Sequence, residues 1–242
     1  MPQLPIPPLL RGSEAGSFAE DTIVRRLPEM VRRVISENNF AAPIHDCLNR
    51  LIADLPHGLI RPLEDEQAPV SAEPRLADWQ KALEPFLGQT WLELPLFAAE
   101  MYFFRRILEA TGYFQPGPGY GVDPYQLQKK LGLAQAGPAL VQALPNGLPA
   151  KEERLHRLIL LSLWGNQADL SLWPVQGESG GKAQSEGGQA HLLVDQSLVA
   201  AKELADLESG QVEWLLDNFG VEICFDLLLA DALLALHPHL SI

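Results

Sequence analysis

The chain has 242 residues, 47% of them hydrophobic, with 18 lysines and arginines against 31 aspartates and glutamates, a formal net charge of −13. That is enough apolar material for one large domain or two small ones. The negative field excludes nucleic acid and anionic membrane surfaces as expected partners and favours a divalent cation.

The stretch from Met1 to Leu10 lacks a basic start and is broken by prolines, so it is not read as a signal peptide. No run reaches the roughly 18 apolar residues that span a bilayer. Cys47 and Cys224 belong to no ligand-spaced cluster and read as free thiols of a reducing compartment. A soluble, cytoplasmic protein is expected.

Ser17 and Glu20 fit a capping box that opens a helix carrying Ile23, Leu27, Met30, Val31, Val34 and Ile35, which Pro28 should kink or split. A second amphipathic helix runs from about Pro43 to Leu55, with Ile44, Cys47, Leu48, Leu51 and Ile52 on one face. A proline-rich loop covers 56–75. From Gln89 to Gly112 an aromatic-rich segment predicts a central helix. Thr90 and Glu93 fit a capping box there, but Pro95 is easier to satisfy as its first residue, and Gly112 should stop it. The glycines of 115–121 form a plain loop, since no strand precedes them and no Lys-Ser/Thr pair follows. Asp123 then caps a short helix ending near Gly132.

Another helix covers Lys151 to Trp164, and 177–189 reads as a flexible, glycine-rich insertion. His191 to Asp195 suggests a brief strand, and Ser197 starts a helix reaching about Glu208. The nearly continuous apolar run from Gln211 to Leu216 predicts a buried strand ending in Asp217 and Asn218, with the long helix Val221 to Leu236 after the turn. The expected organisation is a mostly helical domain over 1–190 and the start of an α/β domain over 191–242. His237 and His239 read as terminal and solvated.

Asp217 and Asn218 offer oxygen donors where strand meets turn, the place where open α/β sheets bind ligands. Asp-Asn before glycine is equally good turn chemistry, and the residues alone favour that plainer reading. Glu222 falls in the first turn of the next helix, where a carboxylate also complements the helix dipole. Asp226, one turn on, suits a structural role. Asn166 and Asp169, in a tryptophan-flanked segment, are helix-end caps or weaker site-lining candidates. Arg105 and Arg106 suggest a phosphate grip, but Glu109, four residues from Arg105, suggests an ordinary ion pair. The histidines show no ligand spacing, and neither cysteine sits in a nucleophile motif.

Six segments together resemble the damage-control phosphatase family, also named after an acidic-residue methyltransferase. They are Arg11-Gly-Ser-Glu-Ala-Gly-Ser-Phe-Ala-Glu-Asp-Thr-Ile23, Gln89-Thr-Trp-Leu-Glu-Leu-Pro95, Arg105-Arg-Ile-Leu-Glu-Ala-Thr-Gly-Tyr-Phe114, Asp123-Pro-Tyr with Gln128-Lys, Leu163-Trp-Gly-Asn-Gln-Ala-Asp-Leu-Ser-Leu-Trp-Pro174, and Leu216-Asp-Asn-Phe-Gly-Val-Glu222 with Asp226 and Asp231. The resemblance implies a helical N-terminal part followed by a Rossmann-like, three-layer α/β domain. It implies a metal-dependent phosphatase of small phosphorylated metabolites such as sugar phosphates, using Mn, Co, Ni or Mg.

By the same resemblance, Asp217 and Asn218 are metal ligands at the catalytic centre, and Glu222 lies beside them. The family's third metal ligand and its basic, phosphate-holding segment match nothing before Ile242. The expectation is therefore a truncated member with little or no activity, represented by its helical part plus the first strand, turn and helix of the α/β part. The alternatives are a non-catalytic helical partner-binding protein, or half of a split enzyme that pairs with a complementary downstream chain. A protein carboxyl methyltransferase has little support, because no glycine-rich, strand-following loop offers a place for a methyl donor.

Overall fold

The computed structural model describes residues 6–64, 76–143, 151–165, 192, 194–216 and 219–241, with the side chains of 142, 143, 151, 152 and 164 left aside. The chain divides into two compact units, Met1–Tyr125 and Gln126–Ile242. The division expected near residue 190 falls outside the described residues, and helices placed before it pack with the C-terminal elements.

The first unit is helical. Ser17 caps α1 (Phe18–Asp21), its hydroxyl accepting from the Glu20 amide at 3.1 Å, while the Glu20 carboxylate takes the Gly16 amide at 2.6 Å. A π-helical turn over Thr22–Arg26 leads into α2 (Leu27–Glu37), with the Leu27 amide bonded to the Thr22 carbonyl. Pro28 therefore does not split the run in two. It occupies the first turn of α2, just after the widened turn, where its missing N–H is tolerated.

Helix α3 (Ala42–Asp54) buries Ile44, Leu48 and Leu51, and α4 (Leu76–Leu83) follows. Thr90 and Glu93 form a capping box, but around a separate one-turn helix, Trp91–Glu93. Pro95 is then the N-cap of α5 (Leu96–Thr111), so both sequence signals are used by different helices. Gly112, at φ 70°, closes α5 with its amide on the Glu109 carbonyl.

Helix α5 brings Tyr102, Phe103 and Ile107 into a core with Ile23, Leu27, Leu48, Leu51, Trp91 and Leu94. The Trp91 and Tyr102 rings lie 4.9 Å apart. The N-terminal arm runs beside the start of α5: the Leu96 amide bonds to the Leu10 carbonyl at 2.8 Å and the Ser13 amide to the Leu92 carbonyl at 2.9 Å.

The second unit contains α6 (Gln126–Ala143), α7 (Lys151–Gly165), α8 (Ser197–Ala205), β1 (Gly210–Gln211), α9 (Val221–Leu236) and β2 (Leu240–Ser241). Helix α6 runs straight through Gly132, correcting the expected stop there, and contains Pro138. Helix α7 packs on α8 and α9, and α6 also meets α9. Leu155 and Leu158 of α7 and Phe225 and Leu233 of α9 are fully buried in this core. Strands β1 and β2 pair in parallel, Gly210 opposite Leu240 and Gln211 opposite Ser241, with α9 as the crossover.

This is a β–α–β unit, so the fold is mostly helical with a small parallel sheet, compatible with the α/β class. The sequence reading missed β2. His237, expected to be solvated, is half-buried, with Nε2 2.8 Å from the Leu204 carbonyl. Beyond Gln211 the ladder continues only through the Val212 amide, 2.9 Å from the Ser241 carbonyl. Val212 and Trp214 pack inward while Leu215 is 94% exposed, so this segment is covered on one face, not two. Among the described residues no helix is long and apolar enough to cross a membrane. The insertion expected over 177–189 lies outside the described residues, as does most of the brief strand expected before Ser197.

Candidate functional site

Glycine chemistry builds the first turn of α9. Gly220, its N-cap, has φ 119° and ψ −125°, a conformation that side chains disfavour. A Cβ on Gly220 would also stand 3.3 Å from the Gly132 Cα, so α6 and the start of α9 meet backbone to backbone. This is the reason for a glycine inside α6: it is a contact point, not a stop. On the other flank, a Cβ on Gly165 would come within 2.7 Å of the Glu222 Cα, so the last residue of α7 also meets this turn at backbone distance.

Glu222 is half-buried in that first turn, as expected from the sequence. One turn later Asp226 is buried, and its carboxylate accepts from the Ser162 hydroxyl of α7. Cys224 lies nearby on α9, and burial pushes its thiol above the ordinary value. On α6, the Lys129 ammonium lies 5.8 Å from the centroid of the Phe219 ring. Lys129 and Gly132 are three residues apart on one helix and so share a face. The sequence reading gave Lys129 no role, although that spacing was available to it.

Asp217, Asn218, Asn166 and Asp169 lie outside the described residues. Their flanks do not: Leu216 and Phe219 border the first pair, and Gly165, against Glu222, directly precedes Asn166. Among the described residues no three histidines, cysteines or carboxylates group to hold a metal ion.

The other candidates have internal uses. In the first unit, Glu109 accepts from the Arg61 guanidinium at 2.9 Å and the Glu64 amide at 2.6 Å, and its Oε2 lies 2.8 Å from Arg106 Nε. The ion pair expected of Glu109 thus forms with Arg106 and Arg61. Arg105 instead lies over the Phe114 ring, 4.6 Å from its centroid. The glycine loop folds back on α5, with the Gly121 amide on the Tyr113 carbonyl at 3.0 Å. A Cβ on Gly119 would overlap the Thr111 carbonyl oxygen, so this glycine serves packing.

In the second unit His156 Nε2 lies 3.0 Å from Ser197 Oγ, which donates to Asp195 at 2.5 Å. The Ser197 hydroxyl and amide hold the Asp195 carboxyl below its usual range. With its proton on Asp195 and in a buried position, Ser197 is a helix-start residue, not a nucleophile that His156 activates.

The damage-control phosphatase ARMT1-like domain matches residues 22–242. The chain is 30% identical over 271 residues to damage-control phosphatase ARMT1 of Xenopus tropicalis, covering 91% of this chain and 59% of that protein. Against the Xenopus laevis protein of the same name it is 29% identical, covering 93% and 60%. Against the Homo sapiens protein it is 26% identical, covering 95% and 61%. The chain therefore spans about three fifths of the length of these relatives. With the match extending from the first helix through β2, the chain belongs to the damage-control phosphatase ARMT1-like family.

Proposed function

We propose that the chain carries the metal-binding turn of a phosphatase that hydrolyses small phosphorylated metabolites such as sugar phosphates. Asp217 and Asn218 are its ligands for a divalent ion, and Glu222 stands beside them. The observation that carries this reading is the position of Glu222. It occupies the first turn of α9, five residues after Asp217, where α6 and α7 close in through Gly132 and Gly165. The donor set fits a hard cation: a carboxylate and an amide oxygen suit Mg²⁺ or Mn²⁺, and Co²⁺ or Ni²⁺ also accepts oxygen ligands.

When bound, such an ion polarises a phosphoryl oxygen and acidifies a water. The chain's own residues orient and enclose. Asp217 and Asn218 fix the cation at the strand end, and Glu222, seated against Gly165, presents a further carboxylate from a rigid helix. Asn166 and Asp169 follow Gly165 in sequence and are placed in this reading as lining residues.

The test is phosphate release from a panel of sugar phosphates with Mn²⁺, Co²⁺, Ni²⁺ or Mg²⁺, alongside Mn²⁺ binding to the same chain. Asp217→Ala should abolish Mn²⁺ binding and any metal-dependent release. Binding that survives this substitution would remove Asp217 from the site.

A second reading, a helical partner-binding protein, draws on Leu215 and Leu216, which are 94% and 50% exposed beside a two-stranded sheet. A Mn²⁺-dependent rise in melting temperature favours the metal site over this alternative.

A further inference from the structure

We propose that Lys129 is a phosphate-binding residue of this site, so that the substrate's phosphoryl group is held between α6 and the first turn of α9. The inference rests on the reading of Asp217, Asn218 and Glu222 given above, and names the cation that would meet their anionic substrate.

Three observations converge on it. Lys129 is half-buried, and its ammonium stands 5.8 Å from the Phe219 ring centroid, which fixes the long side chain at the α9 end of α6. Phe219 directly follows Asn218, so the lysine is anchored next to the proposed ligand turn. Three residues on, along the same face, Gly132 meets Gly220, so α6 cannot drift away from the start of α9 without losing that contact.

Electrostatics gives the arrangement its sense. The first turn of α9 is a positive helix end whose N-cap glycine supplies no side-chain acceptor. A lysine beside a positive helix end is unfavourable unless an anion joins them. Asp217 and Glu222 supply negative charge, but a divalent ion would neutralise it. Lys129 and the α9 amides then leave the site positive, as a phosphate monoester requires. An ammonium is a compact charge with three donors and serves this purpose without demanding a planar partner.

The experiment measures inorganic phosphate binding to the 242-residue chain in saturating Mn²⁺ by calorimetry, with Mn²⁺ binding followed separately by electron paramagnetic resonance. Lys129→Gln should weaken phosphate about tenfold, the scale of one hydrogen bond to a charged group. It should leave Mn²⁺ affinity and melting temperature unchanged, and Lys129→Arg should keep most of the phosphate affinity. Equal phosphate affinity in the native chain and Lys129→Gln overturns the inference while sparing the metal site. So does the absence of phosphate binding by a chain that holds Mn²⁺. Mn²⁺ binding that is missing or insensitive to Asp217→Ala overturns the metal reading and this inference with it.

Discussion

Gly165, the last residue of α7, lies so close to Glu222 that a Cβ on it would stand 2.7 Å from the Glu222 Cα. The obstructing atom is backbone, so no rotamer change relieves the clash. Gly165→Ala should therefore push the end of α7 away from the first turn of α9. The alanine gains at most about 1 kcal/mol in helix propensity. Overpacking of this kind costs about 1–3 kcal/mol and should win. A fall in urea midpoint, with weakened Mn²⁺ binding, is the expected result. A melting temperature at or above that of the parent would show that the two backbones are not in contact.

In the first unit Glu109 meets two guanidinium groups, with Arg106 only 7% and Glu109 only 10% exposed at the side chain. Removing the carboxylate by Glu109→Ala leaves Arg106 buried without its counter-ion, and also removes an acceptor from the Glu64 amide. The pair need not be worth much over an apolar replacement, but breaking it from one side costs about 3–5 kcal/mol. Arg61 is 34% exposed and can turn to solvent, so Arg61→Ala should cost far less. Chemical denaturation of both variants tests the ranking, and equal losses would contradict it.

How far the sequence could be read follows from the range of the forces involved. Local signals were legible: the bounds of α9, the Gly112 stop and the Thr90–Glu93 box all lie within a few residues of their causes. What failed depended on partners distant in the chain. Gly132 looked like a stop because Gly220, its backbone neighbour, lies on another helix. Glu109 was assigned to Arg105 by spacing, whereas Arg61 reaches it from 48 residues away. Strand β2 is two residues long and exists through its pairing with β1, which no periodicity reveals. At the candidate site, the residues alone presented Asp217 and Asn218 as good turn formers; only the whole pattern of matching segments gave them a metal.

Glu93 gives a pH-dependent prediction whose sign can be worked out. The Thr90 amide and hydroxyl donate to its carboxylate at 2.7 and 2.8 Å and hold it below its ordinary value of 4.5. A depressed folded value means that the contribution is present above the unfolded value and is lost as pH falls through the folded one. This capping box should therefore weaken only in acid, below about pH 4.5. Thr90→Val removes the hydroxyl but keeps the amide, and should move Glu93 part of the way back toward its ordinary value. Carboxyl-carbon NMR titration of both forms measures this, and identical titration curves would exclude the hydroxyl from the box.

The Ser162 hydroxyl donates to Asp226 across the α7–α9 contact, the one described side-chain hydrogen bond between these two helices. Asp226 is only 5% exposed, so its carboxylate cannot recover that donor from bulk water. Ser162→Ala should cost about 1–3 kcal/mol, the penalty for a buried acceptor left short of a donor. Replacing Asp226 by leucine in the same chain removes the acceptor as well, so the double variant should recover part of the loss. The measurement is a double-mutant cycle in urea, read from midpoints at constant slope. A coupling energy near zero would mean that Ser162 and Asp226 stabilise α7 against α9 independently, through packing and not through their hydrogen bond.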